Sequence, residues 1–252
     1  MGTSMENESP VTALIVDDEP DLCEMLVFEF SARGYRVFSA SDGQEAERIL
    51  DHEDVALLLT DVRMPLCDGL ELLSWVKTRN VYRPTVILIS AYADITVEEA
   101  HDLGAEVVLT KPFRLSELAD IVTRILLPPE RRWCTPPVPA PVRACALHFS
   151  SFESARKEAV FDLGRGGAAF AFSGSTLSKG ENIRIEVCFD EGPFPSLHGT
   201  GIVNWVRSGA EPKQLQKAGL EFTWLSEETR TAFLLWHSTH AQKPYIPSLK
   251  PQ

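Results

Sequence analysis

Four continuous apolar runs punctuate the first half of the chain, and each stops on polar residues. Ala13 to Val16 runs into Asp17, Asp18 and Glu19, Val55 to Thr60 into Asp61, Thr85 to Ile89 into Ser90, and Val107 to Thr110 into Lys111-Pro112. Such runs are the pattern of strands buried on both faces, as in a parallel sheet covered by helices. Tyr35 to Ala40 predicts a further short strand. The stretches between them carry helical spacing instead. Leu22, Met25, Leu26, Phe28 and Phe30 mark a helix over Pro20 to Arg33, with Pro20 at its start and Gly34 as its C-terminal cap. Ser41 or Asp42 can cap a second, carrying Ala46, Ile49 and Leu50. Leu70 to Val76 outlines a third, Val97 to Leu103 a fourth closed by Gly104, and Leu115 to Leu127 a fifth.

Five strands alternating with five helices predict a doubly wound, five-stranded parallel α/β domain with right-handed crossovers. In such a sheet the strand ends share one rim. That rim collects carboxylates, a hydroxyl and an ammonium from Asp17, Asp18, Asp61, Ser90 and Lys111.

After Leu127 the pattern changes. Pro128 to Val142 contains six prolines and is expected to be a partly extended linker. From Arg143 onward the runs are short, often alternating, and separated by Gly, Ser, Asp or Pro: Arg143 to Phe149, Lys157 to Phe161, Ala168 to Phe172, Ile183 to Phe189, Gly201 to Val206 and Ala218 to Trp224. This spacing predicts a small antiparallel β-barrel. Ser226-Glu227-Glu228 opens a C-terminal helix with Phe233, Leu234, Leu235 and Trp236. The domains are thus expected at 11–127 and 143–241, with a linker over 128–142 and a disordered tail over 242–252.

Charge sharpens this division. Residues 1–127 hold 10 Lys and Arg against 24 Asp and Glu, net −14, whereas residues 128–252 hold 14 against 12, net +2. Neither half is basic enough for a nucleic-acid footprint and no helix-turn-helix pattern follows residue 142, so no nucleic-acid partner is expected and a DNA-binding transcriptional regulator is the least favoured alternative. The five cysteines, Cys23, Cys67, Cys134, Cys145 and Cys188, show no C-x-x-C spacing, which argues against a disulfide framework or a structural zinc site. The acidic start carries no signal-peptide pattern, and no apolar stretch approaches the roughly 20 residues of a membrane span. A cytoplasmic protein without membrane insertion is expected.

The motifs of residues 11–127 resemble those of the response-regulator receiver domain of two-component signalling. They are Asp17-Asp18-Glu19, Asp61 followed by Met64-Pro65 and Asp68-Gly69-Leu70, Ser90-Ala91, and Lys111-Pro112-Phe113. The resemblance implies that a histidine kinase phosphorylates Asp61. It also implies that Mg²⁺ is held by Asp18, Asp61 and the backbone carbonyl of Arg63, with Asp17 acting through water, and that Ser90 and Lys111 contact the phosphoryl group. A carboxylate attacking a phosphoryl dianion needs such cations to offset the charge. Phosphatases that form an aspartyl-phosphate typically place a second Asp two residues later; Arg63 stands there, so no external substrate is expected to be turned over. Val108 departs from the family, which usually has Tyr or Phe three residues before the lysine. The output route is therefore expected to run through the loop from Ala91 to Ile95, or through the fifth helix and linker.

The second half resembles a PilZ domain, a six-stranded barrel that commonly receives cyclic di-GMP. The carrying residues are Asp162-Leu163-Gly164-Arg165-Gly166-Gly167, then Gly201-Ile202-Val203-Asn204-Trp205 and Gly219-Leu220-Glu221-Phe222. The family's nucleotide site uses D-x-S-x-x-G and R-x-x-x-R. Asp162 and Gly167 match the first but Gly164 replaces the serine; Arg131 and Arg132 lie where the arginines are expected, but Thr135 and Pro136 stand where the second should be. Losing a charge-assisted contact costs about 1.5–3 kcal/mol, so a degenerate PilZ-like output domain acting on an unidentified protein target is favoured. Cyclic di-GMP binding at Arg131, Arg132, Asp162, Gly164 and Gly167 stays as the alternative, and dimerisation is left open.

Overall fold

The structure, a computed structural model, describes residues 10–91, 94–141, 143–173, 176–192, 196–207, 215–240 and 242–249. Two compact units result: residues 1–94 with 108–122, and residues 95–107 with 123–252.

The first unit is built on strands β1 (Thr12–Val16), β2 (Arg36–Ala40), β3 (Leu57–Asp61), β4 (Thr85–Ser90) and β5 (Val107–Thr110), ordered β2-β1-β3-β4-β5. The ladders joining β2, β1, β3 and β4 are parallel. Every residue of β1, β3 and β4 is buried, as expected of strands covered on both faces. The helices are α1 (Pro20–Ala32), α2 (Gly43–Leu50), α3 (Gly69–Arg79), α4 (Val97–Leu103) and α5 (Leu115–Ile125). Asp42 is the cap of α2, accepting from the Glu45 N–H at 2.9 Å, while Ser41 hydrogen-bonds the Glu45 carboxylate. Asp68 with Glu71 and Thr96 with Glu99 form capping boxes on α3 and α4, and Gly104 closes α4 in the left-handed region at φ 105°. The division between units cuts through the start of β5 and the last turn of α5, so α4 packs as part of the second unit.

The second unit contains β6 (Ala144–Ser151), α6 (Phe152–Lys157), β7 (Phe161–Leu163), β8 (Gly167–Phe172), β9 (Asn182–Glu191), β10 (Ser196–Arg207), β11 (Gln216–Leu225) and α7 (Glu227–Thr239). The sheet order is β6-β9-β10-β11-β8-β7. Its ladders are antiparallel except one: β6 pairs with β9 in parallel, so the sheet is mixed, not wholly antiparallel as expected. The cause lies in Phe152–Lys157. Predicted strand character around Lys157 gives way to a helix capped by Ser151, and the chain leaves β6 to start β7 at the opposite edge. The sheet curls until side chains of its two edge strands meet: Phe149 of β6 and Phe161 of β7 have ring centroids 5.7 Å apart. Phe189, Phe222, Phe233 and Trp236 fill the enclosed core.

Two segments differ from the sequence expectation. In the linker, Pro129–Arg131 forms a 3-10 turn, and Trp133 packs edge-on against Phe222 and Phe233. The arginine between them, Arg132, donates to the carbonyls of Leu127 and Ile125. Val142 lies outside the described residues. Beyond Gln242 the chain is not a loose tail over 242–249: Tyr245, Ile246 and Leu249 are buried with Ala159, Ala169 and Trp205. Residues 250–252 lie outside the described residues. The reason is the glycine turn before β8. The N–H groups of Arg165 and Gly166 donate to the carbonyls of Pro244 and Tyr245 at 3.0 and 2.9 Å. A Cβ at Gly166 would fall 2.0 Å from the Tyr245 ring, so this approach requires glycine.

Burial also fixes an acid response. His101 of α4 is 1% exposed, and burial pushes its pKa down to about 4 against the opposing charges of Glu221 and Glu106. A depressed histidine contributes stability that is complete above pH 6.5 and lost as pH falls to about 4, here about 3 kcal/mol. Denaturant titrations across that window should show this loss in the wild-type chain and a clearly flatter profile in His101→Gln. Parallel profiles would contradict a neutral buried imidazole.

Candidate functional site

The order β2-β1-β3 makes the gap between β1 and β3 the topological switch point, where open α/β sheets form their ligand crevice. Val16 stands opposite Thr60, so the residues that follow, Asp17 and Asp61, emerge side by side at that point. Both are nearly excluded from water, at 2% and 6% exposure. Lys111, just beyond β5, reaches into the same place. Its Nζ lies 2.6 Å from Asp61 Oδ1, 3.2 Å from Asp17 Oδ2 and 2.8 Å from Glu19 Oε1.

The two carboxylates are held in different ways. Asp61 Oδ2 accepts from the Arg63 N–H at 2.6 Å, leaving Oδ1 to Lys111. Asp17 Oδ1 accepts from the Glu19 N–H at 2.8 Å. Burial pushes the Asp17 carboxyl above its ordinary value; the Glu19 N–H and Lys111 oppose this, and Asp61 reinforces it. For Lys111, burial alone would favour the neutral amine, but Asp61, Glu19 and Asp17 together hold its pKa above the usual lysine range. The ammonium is therefore the positive charge on which two buried carboxylates depend.

Ser90, at the end of β4 and 3% exposed, donates to the Ala91 carbonyl at 2.6 Å and lies 3.3 Å from Asp94 Oδ2. Asp94 in turn pairs with the exposed Arg63 guanidinium at 3.1 Å. Asp18 is exposed beside the crevice. Among the described residues, no three His, Cys, Asp or Glu side chains are gathered as a metal-holding group. The oxygen-only donors at the crevice, Asp17, Asp18, Asp61 and the Arg63 carbonyl, nevertheless suit a hard divalent cation such as Mg²⁺.

Three contributors escaped sequence reading. Glu19 was visible in the acidic cluster, but nothing marked it as a lysine partner. Asp94 carries no signal, because its role comes from a loop that brings it back to Ser90 and Arg63. Gly69 supports the site through the backbone: a Cβ there would lie 2.0 Å from the Asp61 carbonyl oxygen. The Asp68-Gly69 pair was the available clue. Tyr92 and Ala93, in the loop expected to carry output, lie outside the described residues.

Four of the five residues proposed for a nucleotide are engaged elsewhere. Asp162 pairs with Arg156 at 3.2 Å, Arg132 with two carbonyls, and Gly164 with the segment ending in Tyr245. Gly167 packs against the Leu220 carbonyl, and Arg131 lies exposed in the 3-10 turn. Arg132 also lines a cavity of about 120 Å³ with Arg124, Trp133, Glu221 and Tyr245. That is well below the roughly 300–1,000 Å³ of ligand pockets.

Sheet order, acidic crevice and a fixed ammonium at the switch point together define an open α/β domain with a charged crevice at its strand ends. The family model of the response regulator receiver domain matches residues 13–123. Sporulation initiation phosphotransferase F of Bacillus subtilis is 34% identical over 116 residues, covering 45% of this chain and 91% of that protein. The transcriptional regulatory protein TrcR of Mycobacterium tuberculosis is 37% identical over 110 residues, 44% of this chain and 43% of the relative. The response regulator protein PilR of Pseudomonas aeruginosa is 33% identical over 183 residues, 72% of this chain and 40% of the relative. A crystal structure of a putative response regulator from Chloroflexus aurantiacus matches at 34% identity and a TM-score of 0.43, over 47% of this chain and 99% of that one. The chain spans less than half the length of TrcR and PilR. It belongs to the response regulator family through its receiver domain. Among the described residues, no helix is long and apolar enough to cross a membrane.

Because burial raises the Asp17 pKa, the contribution of this group to stability is complete below about pH 3.8 and lost as pH rises through the folded value. Asp17→Asn should therefore melt at a higher temperature than wild type at pH 7, with the gap closing towards pH 3. A lower melting temperature at pH 7 would show that the Lys111 contact outweighs the cost of burial.

Proposed function

We propose that this chain is a two-component response regulator whose Asp61 accepts a phosphoryl group from a histidine kinase and whose second half is the output. The observation that carries this is the Asp61 carboxylate, buried at the switch point with Lys111 Nζ at 2.6 Å. In the transfer, Asp61 Oδ attacks phosphorus of a phosphohistidine. The new O–P bond forms as the N–P bond breaks, and the imidazole leaves with the electron pair and is then protonated. Lys111 offsets charge on the phosphoryl oxygens, while the Arg63 N–H orients the attacking carboxylate. Mg²⁺, held by Asp17, Asp18, Asp61 and the Arg63 carbonyl, would supply the remaining positive charge. Ser90 would exchange its present acceptors for a phosphoryl oxygen. Arg63, in place of a carboxylic acid two residues after Asp61, leaves no general acid for a leaving group, which supports self-phosphorylation over turnover of external phosphoesters.

The second half is read as a degenerate PilZ-like output domain, supported by its curled six-stranded sheet and by the Asp162 to Gly167 turn. The engagement of Asp162, Gly164 and Arg132 within the protein favours output by protein contact over cyclic di-GMP binding. A cytoplasmic location fits the proposed kinase partner.

Incubation with acetyl phosphate and Mg²⁺ should place one acid-stable, hydroxylamine-sensitive phosphoryl group on the chain, absent in Asp61→Asn. Lys111→Met should slow the transfer ten- to hundredfold, as expected for loss of about 1.5–3 kcal/mol from a charge-assisted contact. Labelling that persists in Asp61→Asn would sink this reading.

A further inference from the structure

Residues 242–249, which form neither helix nor strand, meet the second unit as a bound peptide meets its receptor. Their carbonyls are taken by donors from distant sequence. Arg165 Nε donates to Lys243 at 3.3 Å, the Arg165 and Gly166 N–H groups to Pro244 and Tyr245 at 3.0 and 2.9 Å, and Lys217 Nζ to Leu249 at 2.9 Å. The side chains of Tyr245, Ile246 and Leu249, at most 4% exposed, fill a groove walled by Ala159, Ala169 and Trp205. Main-chain bonds that hold, with apolar seats for spaced side chains, are how extended peptides are recognised.

The hold is balanced, not firm. Three apolar side chains and these bonds to the carbonyls offset the cost of ordering a segment that has no structure of its own, two sums of similar size. The groove does not depend on its occupant, because β8 and β10, which carry Ala169 and Trp205, are both laddered to β11. The fit is also incomplete. Trp205 is 6% exposed, yet its indole N–H has no acceptor among the described residues. A buried donor left unpaired is destabilising. A second copy of this chain would bring the same segment and the same mismatch, so a better occupant comes from a different chain.

We propose that this groove is where the second unit takes a segment of a partner protein, and that residues 242–249 are its competitor in cis. The partner segment is an extended peptide of stated chemistry. It carries an aromatic–aliphatic pair and, three residues on, a further aliphatic side chain, as Tyr245-Ile246 and Leu249 do, and it adds an acceptor for the Trp205 N–H. The proposal rests on the reading of the second half as an output domain acting by protein contact. Tethering gives the cis segment a local concentration on the order of millimolar, so only a peptide that binds more tightly displaces it. The unmet indole N–H supplies that margin.

The test uses the full chain, with a fluorescent peptide of residues 242–252 as the probe and anisotropy as the readout. Ile246→Asp expels the chain's own segment, since a carboxylate is not buried in an apolar seat, and this opened chain should bind the peptide. The wild type should bind it at least about tenfold more weakly, because its tethered segment competes. A peptide with Tyr245→Ala should lose about tenfold or more on the opened chain. Peptides with Thr, Asn or Gln placed in turn at 246, 247 and 249 supply acceptors. At least one should bind about fivefold more tightly than the parent, and that gain should vanish when the opened chain also carries Trp205→Phe. If Ile246→Asp lacks the wild-type circular dichroism, the wild-type chain cut at a protease site inserted after His240 carries the test, its segment leaving on dilution and being replaced by the probe. An opened chain that keeps its circular dichroism and binds no peptide would overturn the site, while Asp61 labelling by acetyl phosphate stands as a separate test of the phosphoacceptor. No gain from any acceptor, or the same gain with Trp205→Phe, would overturn the partner chemistry. Wild-type dimers that dissociate on adding the parent peptide would give the groove to a second copy instead.

Discussion

The ammonium of Lys111 is the charge around which the first unit is arranged. The switch point of the sheet forces Asp17 and Asp61 together out of water, where two ionised carboxylates repel each other and each loses hydration. Lys111 bridges them, and to do so β5 must lie in the sheet with its end at the same rim. A compact, strongly hydrated cation suits this place, since its three donors can serve Asp17, Asp61 and Glu19 at once. The parallel strands, the switch point and the lysine therefore form one constraint. A phosphoryl group or a divalent cation entering the crevice would meet an existing balance of charge.

Much of the first unit was legible because its signals are local. The runs ending at Asp17, Asp61, Ser90 and Lys111 read together as buried strands with their ends on one rim, and a cap such as Asp42 announces its helix within three residues. Legibility failed where a role depends on distant sequence. Phe152–Lys157 carried a helix signal of one turn, with Phe152 and Ala155 on the buried side, that the surrounding strand pattern obscured. The parallel pairing of β6 with β9 follows from where the chain goes after α6, which no period along the sequence records. The Asp94 contacts are likewise set by a loop path.

The glycine-rich turn is the instructive case. Read alone, Asp162 to Gly167 looked like a ligand loop with its serine replaced. In the structure, Gly164 and Gly166 make room for the backbone and ring of Tyr245, and Arg165 is consumed by Glu106 and the Gly104 carbonyl. Removing either member of such a buried pair leaves an uncompensated charge worth about 3–5 kcal/mol. A segment with no hydrophobic period, Gln242 to Leu249, could not be recognised as structural from sequence, because its three anchoring residues fit a surface made elsewhere.

That last segment has a consequence for how the chain comes to be folded on the ribosome. Helix α4 is synthesised early, among the strands of the first unit, but the carbonyl of its cap Gly104 accepts from Arg165, and its His101 carbonyl accepts from the Tyr245 N–H as well as from that of Gly104. Until Tyr245 has emerged, a seven-residue helix carrying the buried His101 must wait in an unfinished state. Chain growth therefore separates in time two events that the finished protein joins: the assembly of an acidic crevice and the docking of the helix beside it in sequence. A nascent chain halted before Tyr245 would carry the Asp61 crevice, with Arg165 made but the Tyr245 contact to the His101 carbonyl still missing.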